Sequence, residues 1–123
     1  MDSQSVQQLL DRYWRAASAQ DFDDLHQIFA DDVSVEWPQS GEHFKGKEAC
    51  INIFVNYPGG SPRLDEMTRV TGEGSTWVAE GRMTYPDQRT YMLVGIFQLA
   101  NGKIAREVDY FTEPFPVPAW RKQ

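Results

Sequence analysis

The sequence lacks several features that define whole classes of protein. Its single cysteine, Cys50, excludes an internal disulfide and a cysteine-based zinc site. Basic clusters are also missing, since the longest is the pair Arg121-Lys122 and the net charge is −6. Nucleic acid and anionic membranes are bound by clustered Lys and Arg, so the composition argues against both as partners.

Long apolar runs are absent too. No segment approaches the roughly 18 consecutive apolar residues that a membrane span requires. The N-terminus, MDSQSVQQLL, carries an acid and amides where a signal peptide has a basic region followed by an apolar run. We therefore expect a cytoplasmic protein, in which Cys50 is a buried small apolar residue between Ala49 and Ile51.

The residues that are present suit one compact domain over residues 1–123. Hydrophobic residues make up 41% of the chain and aromatic residues 13%, enough for a core and for the lining of an apolar pocket. We therefore expect a small-molecule ligand as the partner.

Three helices are predicted in the first half of the chain. Apolar residues recur at helical spacing from Val6 to Ala17, with Asp2 or Ser3 available as N-cap. A second, shorter helix begins at Asp21, and a third follows Gly46-Lys47. Between the last two, VSVEW at 33–37 has strand composition and QSGEHF at 39–44 is a polar loop.

The second half of the chain has the pattern of four strands. The predicted strands are 64–71, 77–85, 89–99 and 103–111, separated by turn signals such as Pro86-Asp87 and Asn101-Gly102. Short turns between consecutive strands predict an antiparallel meander. Helices followed by strands indicate an α+β domain, in which the helices gather on one face of the sheet and leave a hollow if the sheet curves.

The last strand, GKIAREVDYF, carries the candidate chemistry. With period two, one face holds Ile104 and Arg106, and the other holds Glu107, Asp109 and Phe111. The two acids are either ordinary solvated charges on an exposed sheet face or acids turned inward, where they do chemistry or form a structural salt bridge with Arg82 or Arg106. In a cavity, loss of hydration raises their pKa toward neutrality and makes them useful proton donors and acceptors.

Several stretches together carry a resemblance to a known family. The runs AQDFDDLHQIFADDVSVEWP, FKGKEA, ANGKIAREVDYF and FPVPAWR resemble the SnoaL-like polyketide cyclase group of the nuclear transport factor 2-like superfamily. The resemblance implies a cone-shaped α+β roll: a curved mixed or antiparallel sheet with three N-terminal helices on its concave face and a deep apolar pocket. It also implies a homodimer that forms through the outer face of the sheet.

A residue-by-residue alignment with ketosteroid isomerase, a relative in the superfamily, refines this expectation. Tyr13 falls where that enzyme has its oxyanion-hole tyrosine. Trp37 occupies the position of its general-base aspartate, and Gly95 that of its protonated aspartate. Two of the three working groups are therefore missing, and steroid isomerisation by that mechanism is not predicted.

The same alignment implies which residues face the pocket. Asp109 is the predicted proton-transfer residue, assisted by Glu107, Arg82 and Tyr13. Acid–arginine–acid clusters activate water in the related epoxide hydrolases, so Arg82 matters to the prediction. The predicted pocket lining is Trp14, Ala17, Ile28, Trp37, Phe54, Val78, Glu80, Tyr91, Leu93, Gly95 and Phe111.

The sequence and the resemblance together predict a cofactor-independent acid/base enzyme. The expected reaction is of cyclase, isomerase, dehydratase or hydrolase type on a small apolar molecule that carries oxygen. No metal site is predicted, because His26 and His43 are isolated from each other and from suitably spaced acids. The alternative is a non-catalytic ligand-binding or dimerisation module of the same fold, and the FPVPAWR tail either seals its own barrel or reaches a partner subunit.

Overall fold

The computed structural model describes residues 1–123, which form three helices and six strands. The helices are α1 (Ser3–Ala19), α2 (Phe22–Ile28) and α3 (Lys47–Val55). The strands are β1 (Phe29–Trp37), β2 (Glu42–Lys45), β3 (Arg63–Glu73), β4 (Thr76–Thr84), β5 (Thr90–Ala100) and β6 (Lys103–Thr112). A single 3-10 turn, Ala119–Arg121, lies near the C-terminus.

The helices begin and end where local chemistry places them. Asp2 caps α1 by accepting a hydrogen bond from the Ser5 backbone N–H at 2.8 Å, and Asp21 caps α2 by accepting one from Asp24 at 3.2 Å. Between them Gln20 takes a left-handed conformation and ends α1. The apolar stripe of α1, which includes Val6, Leu10 and Tyr13, is buried, as the helical spacing predicted.

The six strands form one mixed sheet in the order β2-β1-β6-β5-β4-β3. Strands β3 to β6 pair antiparallel in sequence, which confirms the predicted meander. β1 lies parallel to β6 and so joins the helical half of the chain to the meander. The predicted α+β fold, with three N-terminal helices packed on the sheet, is therefore confirmed.

Two boundaries differ from the predicted ones. β1 begins at Phe29, four residues before the predicted start, and its pairing with β6 shifts register between Phe29 and Ser34. β2 lies in the segment that the sequence predicted as a loop, where Phe44 pairs with Val35 of β1. β2 has only four residues, and Phe44 is its one partly buried side chain, so the sequence there is too short and too polar to show a strand pattern.

The core lies between the helices and the inner face of the sheet. It joins apolar residues of α1, α2 and α3 to Phe29, Val33 and Val35 of β1 and to Phe97 and Ile104 of β5 and β6. Cys50 is buried there, as predicted, and burial raises its thiol pKa to about 12, which makes it unreactive. No helix is both long and apolar enough to cross a membrane.

A β-bulge in β6 sets the direction of the two acids. Leu99 of β5 pairs with Ile104, but the next residue back, Gln98, pairs with Arg106, so Ala105 is the extra residue. Ile104 and Glu107 consequently face the same side of the sheet, and both are buried. The regular alternation predicted Ile104 and Glu107 on opposite faces of the sheet, and this prediction is therefore wrong.

The predicted inward direction of Val78, Glu80 and Arg82 on β4 is also wrong. The alternate residues Trp77, Ala79 and Met83 are the buried ones. Glu80 pairs with Arg69, and Arg82 lies 3.2 Å from Glu66, on the outer face of the sheet. The alignment that placed these residues assumed no gap near Tyr85, and a shift of one residue exchanges the two faces of a strand.

The C-terminal tail does not cover the chain's own cavity. Its apolar side chains Phe115 and Trp120 are 75% and 82% exposed. Of the two arrangements considered for FPVPAWR, sealing its own barrel is therefore excluded, while contact with a partner subunit stays a prediction.

Candidate active site

An apolar cavity lies between α1, α3 and the inner face of the sheet, and it holds both acids of β6. Most of its lining is hydrophobic, and no Lys, Arg or His takes part. The lining residues are Tyr13, Trp14, Ala17, Ser18, Val35, Trp37, Ile53, Phe54, Tyr57, Pro62, Leu64, Met83, Leu93, Glu107, Asp109 and Phe111. The only charged groups in this lining are the two carboxyl groups.

Glu107 and Asp109 are the only buried charged or polar residues of the protein, with 1% and 4% of their surface exposed. They lie two residues apart on β6, beyond the bulge, and therefore project from the same face of the strand. Burial of two acids without a cation is costly, so each needs hydrogen bonds or a bound proton.

Tyr13 supports Glu107 from the opposite wall of the cavity. Its hydroxyl donates a hydrogen bond to Glu107 Oε1 at 2.6 Å, from α1 across to the sheet. The ring of Tyr13 is fixed by aromatic contacts with Phe29, Phe54 and Phe97. Tyr13 therefore lies in the site, but its hydrogen is committed to Glu107.

Trp37 and Gly95 determine the position of Asp109. The Trp37 indole Nε1 donates to Asp109 Oδ2 at 3.2 Å, and Gly95 is the direct partner of Asp109 across the β5–β6 pair. A Cβ on Gly95 would lie 3.2 Å from Asp109 Oδ1, so the glycine leaves the space that this oxygen occupies. Trp37 and Gly95, which align with two aspartates of ketosteroid isomerase, thus both lie next to Asp109.

The environment gives the carboxyl groups of Glu107 and Asp109 different pKa values. Burial, followed by repulsion from Asp109, raises the pKa of Glu107 well above its ordinary value. Burial also raises the pKa of Asp109, but hydrogen bonds from Glu107 and Trp37 limit it to about 6. Near neutral pH, Glu107 is therefore protonated and donates to an Asp109 that is mostly ionised.

The structure brings together only part of the predicted site. Asp109, Glu107 and Tyr13 adjoin one another. Six of the predicted lining residues line the cavity: Trp14, Ala17, Trp37, Phe54, Leu93 and Phe111. Gly95 lies behind Asp109 and does not line it. Ile28 is buried in the core instead. Tyr91 lies on the inner face of β5 but packs against Tyr85, outside the cavity lining. Val78, Glu80 and Arg82 are on the outer face.

Several lining residues were not predicted. Ile53 and Tyr57 come from α3 and its end, Pro62 and Leu64 from the segment that enters β3, and Met83 from β4. Met83 was detectable, because Trp77, Ala79 and Met83 form the apolar alternation of β4. The position of Pro62 depends on how the 56–62 connection folds back, which no local pattern encodes.

The cavity is narrow and nearly closed. Its volume accessible to water is about 30 Å³. This is room for about two waters, since each needs about 10–15 Å³. Trp37, Ile53 and Tyr57 line both this cavity and an open groove outside, so they form the wall between them. Trp14, Ser18 and Leu64 form a second wall, toward the groove between α1 and β3. A substrate larger than water therefore enters only when one of these two walls moves.

The remaining titratable clusters are ordinary surface features. No three His, Cys, Asp or Glu residues converge as metal ligands do. His26 lies 3.4 Å from Glu48, and His43 lies 3.7 Å from Glu36. A wider groove between α1 and the start of β3 is open and is bordered by exposed charges such as Arg63 and Glu66.

Comparison with known proteins agrees with this architecture. A family model described as the SnoaL-like domain matches residues 10–107. An NTF-2 like protein of unknown function from Burkholderia xenovorans is 36% identical, with a TM-score of 0.84 over 96% of this chain and 91% of that one. No curated protein matches the chain.

More distant structures share the fold. A candidate ketosteroid isomerase from Kribbella flavida is 22% identical, with a TM-score of 0.81 over 95% of this chain and 84% of that one. An LEH-like epoxide hydrolase from M. tuberculosis is 16% identical, with a TM-score of 0.68 over 85% of this chain and 80% of that one. At these identities the likeness concerns the fold alone.

Proposed function

The chain belongs to the SnoaL-like domain family, and from that premise we propose that it is a cofactor-independent enzyme that removes a proton from a carbon next to a carbonyl group. The observation that carries the proposal is the pair Glu107 and Asp109, buried side by side in an apolar cavity without a cation, where burial raises the pKa of both carboxyl groups. Such a pair supplies a base and an acid near neutral pH without any further group.

Asp109 is the proposed base. Its Oδ2 accepts from Trp37, while Oδ1 accepts from no N–H or hydroxyl donor of the chain. We assign Oδ1 as the oxygen that takes the substrate proton, with the proton of Glu107 shared on the side of Oδ2. In this step the C–H bond breaks, an O–H bond forms on Asp109, and the electron pair moves onto the carbonyl oxygen as an enolate. Return of the proton to another atom, or attack of the enolate carbon on a second carbonyl, completes an isomerisation or a cyclisation.

Glu107 and Tyr13 assist without touching the reacting carbon. The protonated Glu107 donates to Asp109 and so favours its ionised form, while Tyr13 donates to Glu107 and fixes that carboxyl group. This chain of donors keeps Asp109 a usable base at neutral pH despite its burial.

The lining also supports a neutral, largely apolar substrate. The cavity holds a negative charge and no cation, so an anionic substrate would be repelled in a region of low dielectric. The acid–arginine–acid arrangement considered for water activation is not assembled, because Arg82 lies on the outer face beside Glu66. This favours proton transfer at carbon over epoxide hydrolysis.

Exchange of deuterium for protium tests the proposal without knowledge of the natural substrate. Cyclohexanone deuterated at its α carbons is incubated with the protein in water, and loss of deuterium is followed by NMR. We expect the wild type to exceed the buffer rate and Asp109→Asn to return to it. Glu80→Gln, which alters an acid on the outer face, should keep the wild-type rate.

Two outcomes contradict the enzyme proposal. One is a wild type that binds cyclohexanone yet exchanges no faster than buffer, as a non-catalytic binding domain would. The other is an Asp109→Asn variant that folds and still exchanges at the wild-type rate.

A further inference from the structure

An enolate needs a hydrogen-bond donor at its oxygen, and nearly every donor of the cavity is already committed. Tyr13 donates to Glu107, Trp37 donates to Asp109, and the Ser18 hydroxyl donates to the Pro62 carbonyl at 3.2 Å. The Tyr57 hydroxyl makes no hydrogen bond within the chain, but Tyr57 is only half-buried, and its hydroxyl is not among the fully buried unpartnered atoms. The oxyanion role implied for Tyr13 by the ketosteroid isomerase alignment is therefore unavailable in this arrangement.

Trp14 is the exception among the fully buried donors of the lining. Its indole Nε1 is shielded from solvent and makes no hydrogen bond to any acceptor of the chain. Only two buried side-chain nitrogen or oxygen atoms of the protein lack a partner, Trp14 Nε1 and Asp109 Oδ1, and both belong to residues that line this cavity. One is a donor and the other an acceptor.

The direction of the indole follows from its two surroundings. Trp14 also borders the open groove outside α1, but an atom that faced this groove would be exposed to solvent. The shielded Nε1 is therefore turned away from this groove. The ring itself is held by Tyr13, 4.6 Å away between ring centres, and by Phe97 at 6.3 Å, so it does not reorient freely.

We infer that the Trp14 indole N–H holds the carbonyl oxygen of the substrate and stabilises the enolate that forms there. The inference rests on the proposed proton transfer at Asp109, and it names the substrate class more closely. The ligand has an acceptor oxygen for Trp14 and, near it, an acidic hydrogen for Asp109 Oδ1. Trp14 is then the residue by which the cavity selects carbonyl compounds over hydrocarbons of the same shape.

The test compares cyclohexanone with methylenecyclohexane, which has the same ring and no acceptor oxygen. The protein has four tryptophans, and Trp14→Phe identifies which indole N–H signal in the NMR spectrum belongs to Trp14. We expect cyclohexanone to shift that signal of the wild type downfield, while methylenecyclohexane does not. Trp120, which is 82% exposed, provides the reference signal that neither compound moves.

Affinity supplies the second readout. Trp14→Phe keeps an aromatic ring and removes the donor, so the Kd for cyclohexanone should rise about three- to tenfold, as expected for one neutral hydrogen bond. The Kd for methylenecyclohexane should not rise. Trp77→Phe is the matched control, because Trp77 is buried outside the cavity and its Nε1 donates to the Gly74 carbonyl at 2.9 Å.

The results separate this inference from the proposed function. Asp109→Asn should lose deuterium exchange and still show the cyclohexanone-dependent shift of the Trp14 signal. The inference is overturned if the wild type does not bind cyclohexanone, if the Trp14 signal does not move on binding, or if Trp14→Phe binds both compounds as the wild type does.

Discussion

Gly95 and Asp109 face each other across the β5–β6 pair, and the missing side chain of one leaves room for the carboxylate of the other. A methyl group at Gly95 would lie 2.7 Å from Phe97 Cε2 and 3.2 Å from Asp109 Oδ1. The glycine is thus a packing requirement of the candidate base.

We predict that Gly95→Ala displaces Asp109 and lowers both stability and deuterium exchange. Overpacking of this kind costs about 1–3 kcal/mol in the free energy of unfolding, which urea denaturation measures. The control is Gly72→Ala, which overpacks β3 against the backbone of β4 at Thr76 and Trp77. It should lose stability but retain exchange per folded molecule, and equal losses of exchange in both variants would contradict the role given to Gly95.

The pH dependence of exchange should report the ionisation of Asp109. The base acts only when ionised and its pKa is about 6, so kcat/KM should fall to half near pH 6 and about tenfold per pH unit well below it. Rates measured between pH 4 and 8 check this profile. A midpoint near the ordinary aspartate value of about 3.9 would show that burial does not tune this residue.

Glu107 should influence that profile through its hydrogen bond. Glu107→Leu keeps the site dry but removes the donor that favours ionised Asp109, so the midpoint should move to higher pH. Glu107→Gln retains an N–H donor and should leave the midpoint near the wild-type position. An unchanged midpoint in the leucine variant would mean that the carboxyl groups do not interact.

The raised pKa of Asp109 also predicts how stability depends on pH. The folded state holds the proton up to about pH 6, whereas the unfolded chain releases it near 4, so stability falls as the pH rises through this window. Asp109→Asn removes that cost. It should be more stable than the wild type by about 3 kcal/mol at pH 8 and lose the advantage below pH 4. Equal urea midpoints at both pH values would contradict the burial of an ionised Asp109.

Arg82 should be dispensable. It lies on the outer face, half exposed, with its guanidinium 3.2 Å from Glu66, so its ion pair is screened by water. Arg82→Gln is expected to change the free energy of unfolding by no more than about 1 kcal/mol and to leave deuterium exchange intact. Loss of exchange in a folded variant would restore Arg82 to the site.

Pairing with a second copy remains a proposal, and the outer face of the sheet is where it should occur. Val94 of β5 lies opposite Tyr110 of β6 there, and Met92 and Tyr110 are 40% and 39% exposed. Met92→Arg with Tyr110→Glu should convert a dimer to a monomer in sedimentation experiments, because association relies on an apolar centre. Arg89→Ala, on the β4–β5 turn, serves as a control; a wild-type monomer would refute the proposal.

The sequence pattern predicted most helices and strands and the two acids of β6. It failed where the pairing of strands determines the structure. The buried stripe of α1 and the caps at Asp2 and Asp21 are local features, and they were predictable from spacing and residue type. β2 was missed because an edge strand of four residues is defined by its partner. For β4, the apolar alternation of Trp77, Ala79 and Met83 indicates the buried face correctly. The alignment with ketosteroid isomerase indicated the other face.

The narrowness of the cavity could not be read from the chain either. It depends on how side chains of α1, of α3 and of five strands, among them Trp14, Phe54 and Leu93, meet around the cavity. Contacts of this kind join residues that are distant in sequence, and no periodicity records them.

The extra residue at Ala105 divides β6 into two segments, and the side chains of each segment alternate between the two faces of the sheet independently. The half that adjoins the turn keeps Ile104 in the core, and the other half keeps Glu107 and Asp109 in the cavity. Loss of one residue at this joint would therefore turn either Ile104 or the two acids to the outer face of the sheet. A comparison with a related chain that ignores the joint will assign its acids to the wrong side.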